Sequence, residues 1–185
     1  MKPRARWMLF AAACLAQWGI AGREIVRWER TRRQGTLFRF QAAPADPVDA
    51  FRGRYVAVRL RENSVPFDKP LPGGTRVYVE PETGEDGYAH FVRVYRRPPA
   101  DVSTCQACVR YFSDNRLYLH LPFTRYYMNE RLAPKAERAL FAQRLRKGGP
   151  EMWATVRVGH GCAAIEGVFV NGNPIEEIAR ANKNP

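Results

Sequence analysis

The feature that most constrains this chain stands at its start. Lys2, Arg4 and Arg6 precede sixteen residues, 7–22, that carry no charge and only one strongly polar side chain, Gln17. A helix that is apolar on every side has no face to offer water, so it belongs in lipid or is a targeting segment that is removed. As a helix the run spans roughly 24 Å, short of the ~30 Å hydrocarbon core of a bilayer. Continuing the helix through Ile25, Val26 and Trp28 supplies the missing length, because Arg23, Glu24 and Arg27 lie near its end and long side chains can snorkel to the interface. Trp7 and Trp28 then fall near opposite boundaries, where aromatic belts form. The expectation is an N-terminal membrane anchor with a basic flank over residues 1–33 and a single domain over residues 34–185. The competing reading is a signal peptide cut before Gly22, with Gly19 and Ala21 as the small residues, and secretion of the remainder.

Orientation sets two rules against each other. Lys2, Arg4 and Arg6 precede the span and Arg23, Arg27, Arg30, Arg32 and Arg33 follow it, a count that by itself places the body in the cytoplasm. A short basic tail leading directly into an apolar run has the layout of a signal-anchor, and long following domains cross largely regardless of charge. The second rule is followed here, giving an extracytoplasmic C-terminal domain on a single-pass protein of the inner (cytoplasmic) membrane.

Beyond the anchor the remaining length suits one compact domain. Hydrophobic residues make up 45% and aromatics 12%, which excludes a disordered chain. The net charge of +12 raises the question of an anionic partner. Yet Arg59, Arg61, Arg76 and Arg93 fall singly on alternating positions, as on a solvated strand face, while Arg30, Arg32 and Arg33 leave attraction to anionic head groups open. No zinc-finger, helix-turn-helix or aromatic RNA-binding pattern occurs, so no nucleic acid is expected as a partner.

Alternation with period two recurs through the body. Residues 36–40, 55–61, 76–80, 88–95, 109–112, 117–121, 153–158 and 164–170 read as strands, with His90, Val92 and Val94 on one face of the fourth. Ser113, Asp114, Asn115 and Arg116 form a hairpin turn. The principal helix is expected near residues 134–147, opened by Pro134 and closed by Gly148, Gly149 and Pro150, with a short last helix over 174–180. Many strands interrupted by one main helix argue an α+β class, mainly antiparallel.

Asp46, Pro47, Asp49, Arg52, Gly53 and Tyr55 stand in an order that resembles the signature of the bacterial GDYXXLXY family of small membrane-anchored proteins, in which the stretch runs D-P-R-D-P-F/L-R-G-D-Y-V-x-L-x-Y. Arg54, Val58 and Leu60 replace the family's Asp, Leu and second Tyr, so no acidic role carries over to residue 54. Arg125, Tyr126, Tyr127, Met128, Asn129 and Glu130 resemble the family's E-R-Y-F-V-P-E step, and the hairpin ending at Val170, Asn171 and Gly172 its terminal strand pair. The likeness covers nearly the whole chain. It implies an inner-membrane anchor with a periplasmic domain, and no particular reaction. The residues themselves read as a turn: Asp46 and Asp49 accept local hydrogen bonds, and Gly53 allows a positive φ before the strand. Chelation of a cation by the two aspartates, or recognition of an anion by Arg52, Arg54 and Arg59, are the functional alternatives.

Cysteine carries the remaining chemistry. Cys105 and Cys108 form a CxxC expected between strands, and in an oxidising compartment a local disulfide is the leading reading. A thioredoxin-type pair would need a helix directly after it, whereas Val109, Arg110, Tyr111 and Phe112 look like a strand. The alternative is zinc on Cys105, Cys108, His160 and Cys162, the last two sharing a strand face at i and i+2. No nucleophile elbow, HExxH pair or phosphate loop occurs, and no catalytic residue is assigned. The preferred function is a non-enzymatic, membrane-anchored interaction or accessory domain beside an integral membrane partner, with no cofactor. A metal-binding or redox module, or an enzyme, using the cysteine and histidine cluster is the alternative.

Overall fold

The computed structural model describes residues 3–44, 55–144 and 151–181. The chain opens with one long helix, α1 (Pro3–Gln34), and passes through Gly35 into the first strand, β1 (Thr36–Pro44). Trp7, Leu9, Phe10, Leu15, Trp18, Ile20 and Ile25 are all exposed, so the apolar stretch has no protein face to lie against. The segment Trp7–Gln34 is long and apolar enough to cross a membrane, a test that signal sequences also pass.

After β1 come β2 (Tyr55–Leu60), β3 (Ser64–Pro66), β4 (Arg76–Thr83), β5 (Ala89–Tyr95), β6 (Cys105–Ser113), β7 (Arg116–His120) and β8 (Arg125–Tyr127). The helix α2 (Ala133–Arg144), β9 (Met152–Gly159), β10 (Cys162–Val170), β11 (Asn173–Pro174) and α3 (Ile175–Ala181) complete the described chain. Two antiparallel sheets form, β11-β10-β9-β1-β2-β8 and β3-β7-β6-β4-β5. The expected α+β class holds.

The alternating patterns show why these segments pair as they do. Val56, Val58 and Leu60 on β2, Val77 and Val79 on β4, and Ala154, Val156 and Val158 on β9 are buried, and the residues between them are not. With Phe40, Phe91 and Leu117 they form one continuous core between the sheets. Phe40 and Phe91 bring the two sheets together, ring centroids 5.4 Å apart. Three hairpins close on two-residue turns in which both residues have positive φ: Asp114 and Asn115, His160 and Gly161, Asn171 and Gly172. That is the type I′ geometry, whose twist matches that of the flanking strands.

Where the structure departs from expectation, local irregularities explain it. On β5 the buried residues are Ala89 and Phe91, and His90 points outward. The cause is a bulge: Glu80 pairs with Arg93 and Pro81 with Phe91, so Val92 is extra and the alternation changes phase there. Strands β3 and β8, three residues each, are too short to show a period. The turn of Asp46, Pro47, Asp49, Arg52 and Gly53 and the expected helix end beyond Arg144 lie outside the described residues, while Tyr55 opens β2.

The five-stranded sheet curls until β5 lies beside β3. Its closure is latched by side chains: His90 Nδ1 lies 3.0 Å from Glu62, its Nε2 3.2 Å from Asp86, and Arg116 approaches Glu62 at 3.7 Å. Hydrogen bonding to the Glu62 carboxylate raises the His90 pKa above its ordinary value, and Asp86 adds to this. A raised folded-state pKa means that the latch stabilises fully below the unfolded value of about 6.5 and is lost as pH rises through the folded value. The melting temperature of wild type should therefore exceed that of His90→Gln most at about pH 6, with the gap narrowing above about pH 8. A gap independent of pH would show that His90 contributes packing alone.

Candidate functional site

The site begins at the joint between α1 and the β9–β10 hairpin. Thr31 is 1% exposed although it sits on a surface helix. Its hydroxyl donates to the carbonyl of Gly159 at 3.0 Å, and lies 3.1 Å from the Arg27 carbonyl one turn back. Arg27 reaches the carbonyl of His160 at 3.4 Å. The amide of Gly35 donates to the Thr31 carbonyl at 2.9 Å and ends the helix. A Cβ at Gly35 would stand 2.4 Å from that carbonyl oxygen and 2.9 Å from that of Val158, so only glycine lets helix, turn and hairpin approach so closely. Arg157 on β9 completes the joint: it grips Glu166 through two nitrogens at 2.6 and 2.9 Å and donates to the Gly35 carbonyl at 2.9 Å.

The helix so placed roofs a seam. The six-stranded sheet curls until β8 comes beside β10, with no ladder between them. β8 is held on β2, where Tyr55 pairs with Tyr127, and on α3, where the Tyr126 hydroxyl donates to Glu176. Arg125 lies over the Tyr55 ring at 5.1 Å. Burial and the Glu176 carboxylate hold the Tyr126 phenol well above its usual pKa, so it remains a donor.

Between α1 and this seam lies a cleft of about 860 Å³. Glu24, Ile25, Trp28, Glu29 and Arg32 line it from α1. Their three- and four-residue spacing puts them on one helix face. Tyr126 and Tyr127 of β8 and Ala164, Ile165 and Glu166 of β10 form the opposite wall. A second cavity of about 320 Å³ shares Trp28, Tyr127, Ala164 and Ile165 with the first and extends to Arg125 and Phe123. Trp28 is 47% and Tyr127 68% exposed, so large rings stand at the mouth. The wall's carboxylates are matched: Glu24 with Arg27 at 3.8 Å, Glu29 with Arg33 at 2.6 Å, Glu166 with Arg157. The sequence marks Trp28 as a membrane-boundary residue, Arg32 as one of a basic cluster suited to anionic head groups, and Tyr126 and Tyr127 as part of a family step. Their meeting with Ile165 had no signal, because it depends on how the sheet curls.

The cysteine readings require correction. Cys105 and Cys108 do not flank a turn; both lie within β6. Cys105 faces the core with Ala107 and Val109, and Cys108 faces outward. Residues three apart in a strand point to opposite faces with Cα atoms roughly 10 Å apart, beyond the ~7 Å limit for a disulfide. Both are free thiols, as are Cys14 and Cys162. His160 is a turn residue with φ 50°, exposed to solvent, and shares no strand face with Cys162, which is buried toward α1. The backbones do meet: Gln106 donates to the Gly161 carbonyl at 3.1 Å, and Gly161 to that of Thr104 at 2.8 Å. The side chains diverge from there. Among the described residues no group of three or more His, Cys, Asp or Glu could hold a metal ion, so the Cys105, Cys108, His160 and Cys162 set does not fit zinc.

Burial raises the Cys105 thiol far above its ordinary pKa and raises Cys162 too, the latter partly offset by Arg27. In the folded protein a thiol reagent should therefore modify Cys108 and spare Cys105 until denaturant is added, as peptide mapping would show. A native Cys105–Cys108 bridge in the same map would refute the strand placement. For the joint, Gly35→Ala should destabilise by about 2 to 3 kcal/mol in urea unfolding, since the contacts it creates are with backbone. Thr31→Val should cost about 1 to 2 kcal/mol through the lost buried hydrogen bond.

The profile of the family described as GDYXXLXY protein matches residues 17–168, well over half of the chain and including the second half of α1. No curated protein and no solved structure matches. By the extent of that match, the chain belongs to the GDYXXLXY family.

Proposed function

We propose that this protein is a membrane-tethered accessory domain, its body on the extracytoplasmic side, that binds components of the same membrane layer and does not catalyse a reaction. The observation that carries the reading is the continuity of α1 from its exposed apolar stretch into the Thr31 and Gly159 joint. A tether that ended in a loose linker would leave the domain free to tumble. Here helix and body form one packed unit, and the cleft is held at a fixed height over the end of the apolar segment.

The chemistry of the body fits a binding role. Its most deeply buried thiol, Cys105, lies in the core with its pKa raised, which disfavours the thiolate. His90 is engaged by two carboxylates as a structural latch. The cleft, by contrast, combines large exposed rings with charges, the composition of a contact surface. An integral membrane protein lying alongside α1 is the partner this arrangement suits.

The full-length chain should remain in the membrane fraction after carbonate extraction, and a reporter fused after Pro185 should read as extracytoplasmic. Purified in mild detergent, it should retain an integral membrane protein in stoichiometric amount. Carbonate release, or a cytoplasmic reporter signal, would overturn the reading.

A further inference from the structure

We infer that the trough between α1 and the β8–β10 seam is a binding site for one anionic phospholipid of the adjoining leaflet, its phosphate on Arg32 and the start of an acyl chain against Trp28, Tyr127 and Ile165. The inference rests on the membrane anchoring proposed above.

Shape comes first. Cavities of about 860 and 320 Å³ share a wall and together give an elongated trough, not a closed pocket, of a size that takes a small-molecule ligand or part of a larger one. Charge comes second. Each carboxylate in the wall is already matched by a cation: Glu24 by Arg27, Glu29 by Arg33 and Glu166 by Arg157. Arg32 has no carboxylate partner among the described residues, and Arg125, which lines the second cavity, lies over the Tyr55 ring. Among the side chains that line the two cavities, Glu24, Glu29 and Glu166 balance Arg32, Arg125 and Arg157, and with the carboxylates drawn to neighbouring arginines the Arg32 fork is the group that suits phosphate oxygens.

Height decides the class of ligand. If residues 7–26 fill the hydrocarbon core, at ~1.5 Å each they cover about 30 Å, and Arg32 stands about 9 Å further along the axis. That is the level of the head groups, while Ile25 and Trp28 lie at the boundary with the chains. Along α1 the wall thus passes from Ile25 and Trp28 at the membrane, beside the Glu24 carboxylate that pairs with Arg27, to Arg32 away from it. A phospholipid resting in its leaflet has the same polarity in the same direction. A free phosphate would use the arginine and leave the rings unused.

The test uses the full-length chain in mild detergent, offered phosphatidylglycerol or phosphatidylcholine at equal mole fraction, with retained lipid counted by native mass spectrometry. One phosphatidylglycerol per chain should be retained under conditions that strip phosphatidylcholine. The double variant Arg32→Glu, Arg125→Glu should lower retention by about tenfold or more, as expected when a charge-assisted contact becomes a repulsion. Arg110→Glu, on the exposed face of β6, should leave it unchanged. Equal retention of the two lipids would overturn the proposal, as would unchanged retention in the double variant or displacement of the lipid by inorganic phosphate. Both altered arginines are on the surface, and Arg32→Gln with an unaltered circular dichroism spectrum guards against misfolding. Carbonate release of a chain that still retains phosphatidylglycerol would sink the anchoring and spare the site. A carbonate-resistant chain without lipid preference would sink the site alone.

Discussion

The architecture depends on how α1 is seated on the β9–β10 hairpin. A helix with exposed apolar side chains along most of its length has no reason of its own to stop at a definite angle against a β domain. The angle is set where Thr31 gives its hydroxyl to Gly159, Gly35 lets the chain turn within backbone contact, and Arg157 holds both Gly35 and Glu166. The hydroxyl and carbonyls involved are screened from water, where an unmade hydrogen bond costs more than a made one gains. The joint is therefore specific as well as tight. Without it β1 would still pair with β9, but the helix would not roof the seam and the cleft would not exist.

The two sheets solve the problem of their edges differently. In the five-stranded sheet the curl brings β5 to β3, and Glu62, His90, Asp86 and Arg116 latch it. In the six-stranded sheet the curl brings β8 to β10, yet no ladder forms, and the helix covers the gap. Unpaired strand edges invite association with other chains, so covering one with a helix protects it. The cover is partial. What remains open is lined by Trp28, Tyr127 and Ile165, and this incomplete closure is the physical origin of the candidate site.

A fully paired seam would have buried these side chains against each other and left a smooth surface. In the proposed setting the opening faces the bilayer surface, where a ligand with both an apolar and a charged part gains on both counts. The matched carboxylates matter as much as the arginines. Pairing Glu24, Glu29 and Glu166 with neighbouring arginines lessens the repulsion that a phosphate would otherwise meet, and leaves Arg32 available.

Much of the fold was legible in the residues alone, and so was the family. The apolar run after Arg6 announces a helix suited to lipid because no face of it is polar. The alternation of Val56, Val58 and Leu60, or of Val77 and Val79, announces strands with one buried side, and Asp114 with Asn115 announces a tight hairpin. What escaped was of three kinds. The bulge at Val92 reversed the face on which His90 lies, and a pattern with period two cannot show an inserted residue. Strands as short as β3 and β8 have no period, so the half of the cleft carried by Tyr126 and Tyr127 had no visible address. The spacing of Cys105 and Cys108 suggested a turn, but inside β6 the same spacing sends one thiol into the core and the other outward. Local chemistry, then, determined which segments are helix and which are strand, since that choice follows from the periodicity of burial along each one. Only the tertiary structure decided that a helix face, a three-residue strand and the first half of β10 would meet, because their meeting depends on the curl of a sheet and the angle of a helix, and neither is written in any single segment.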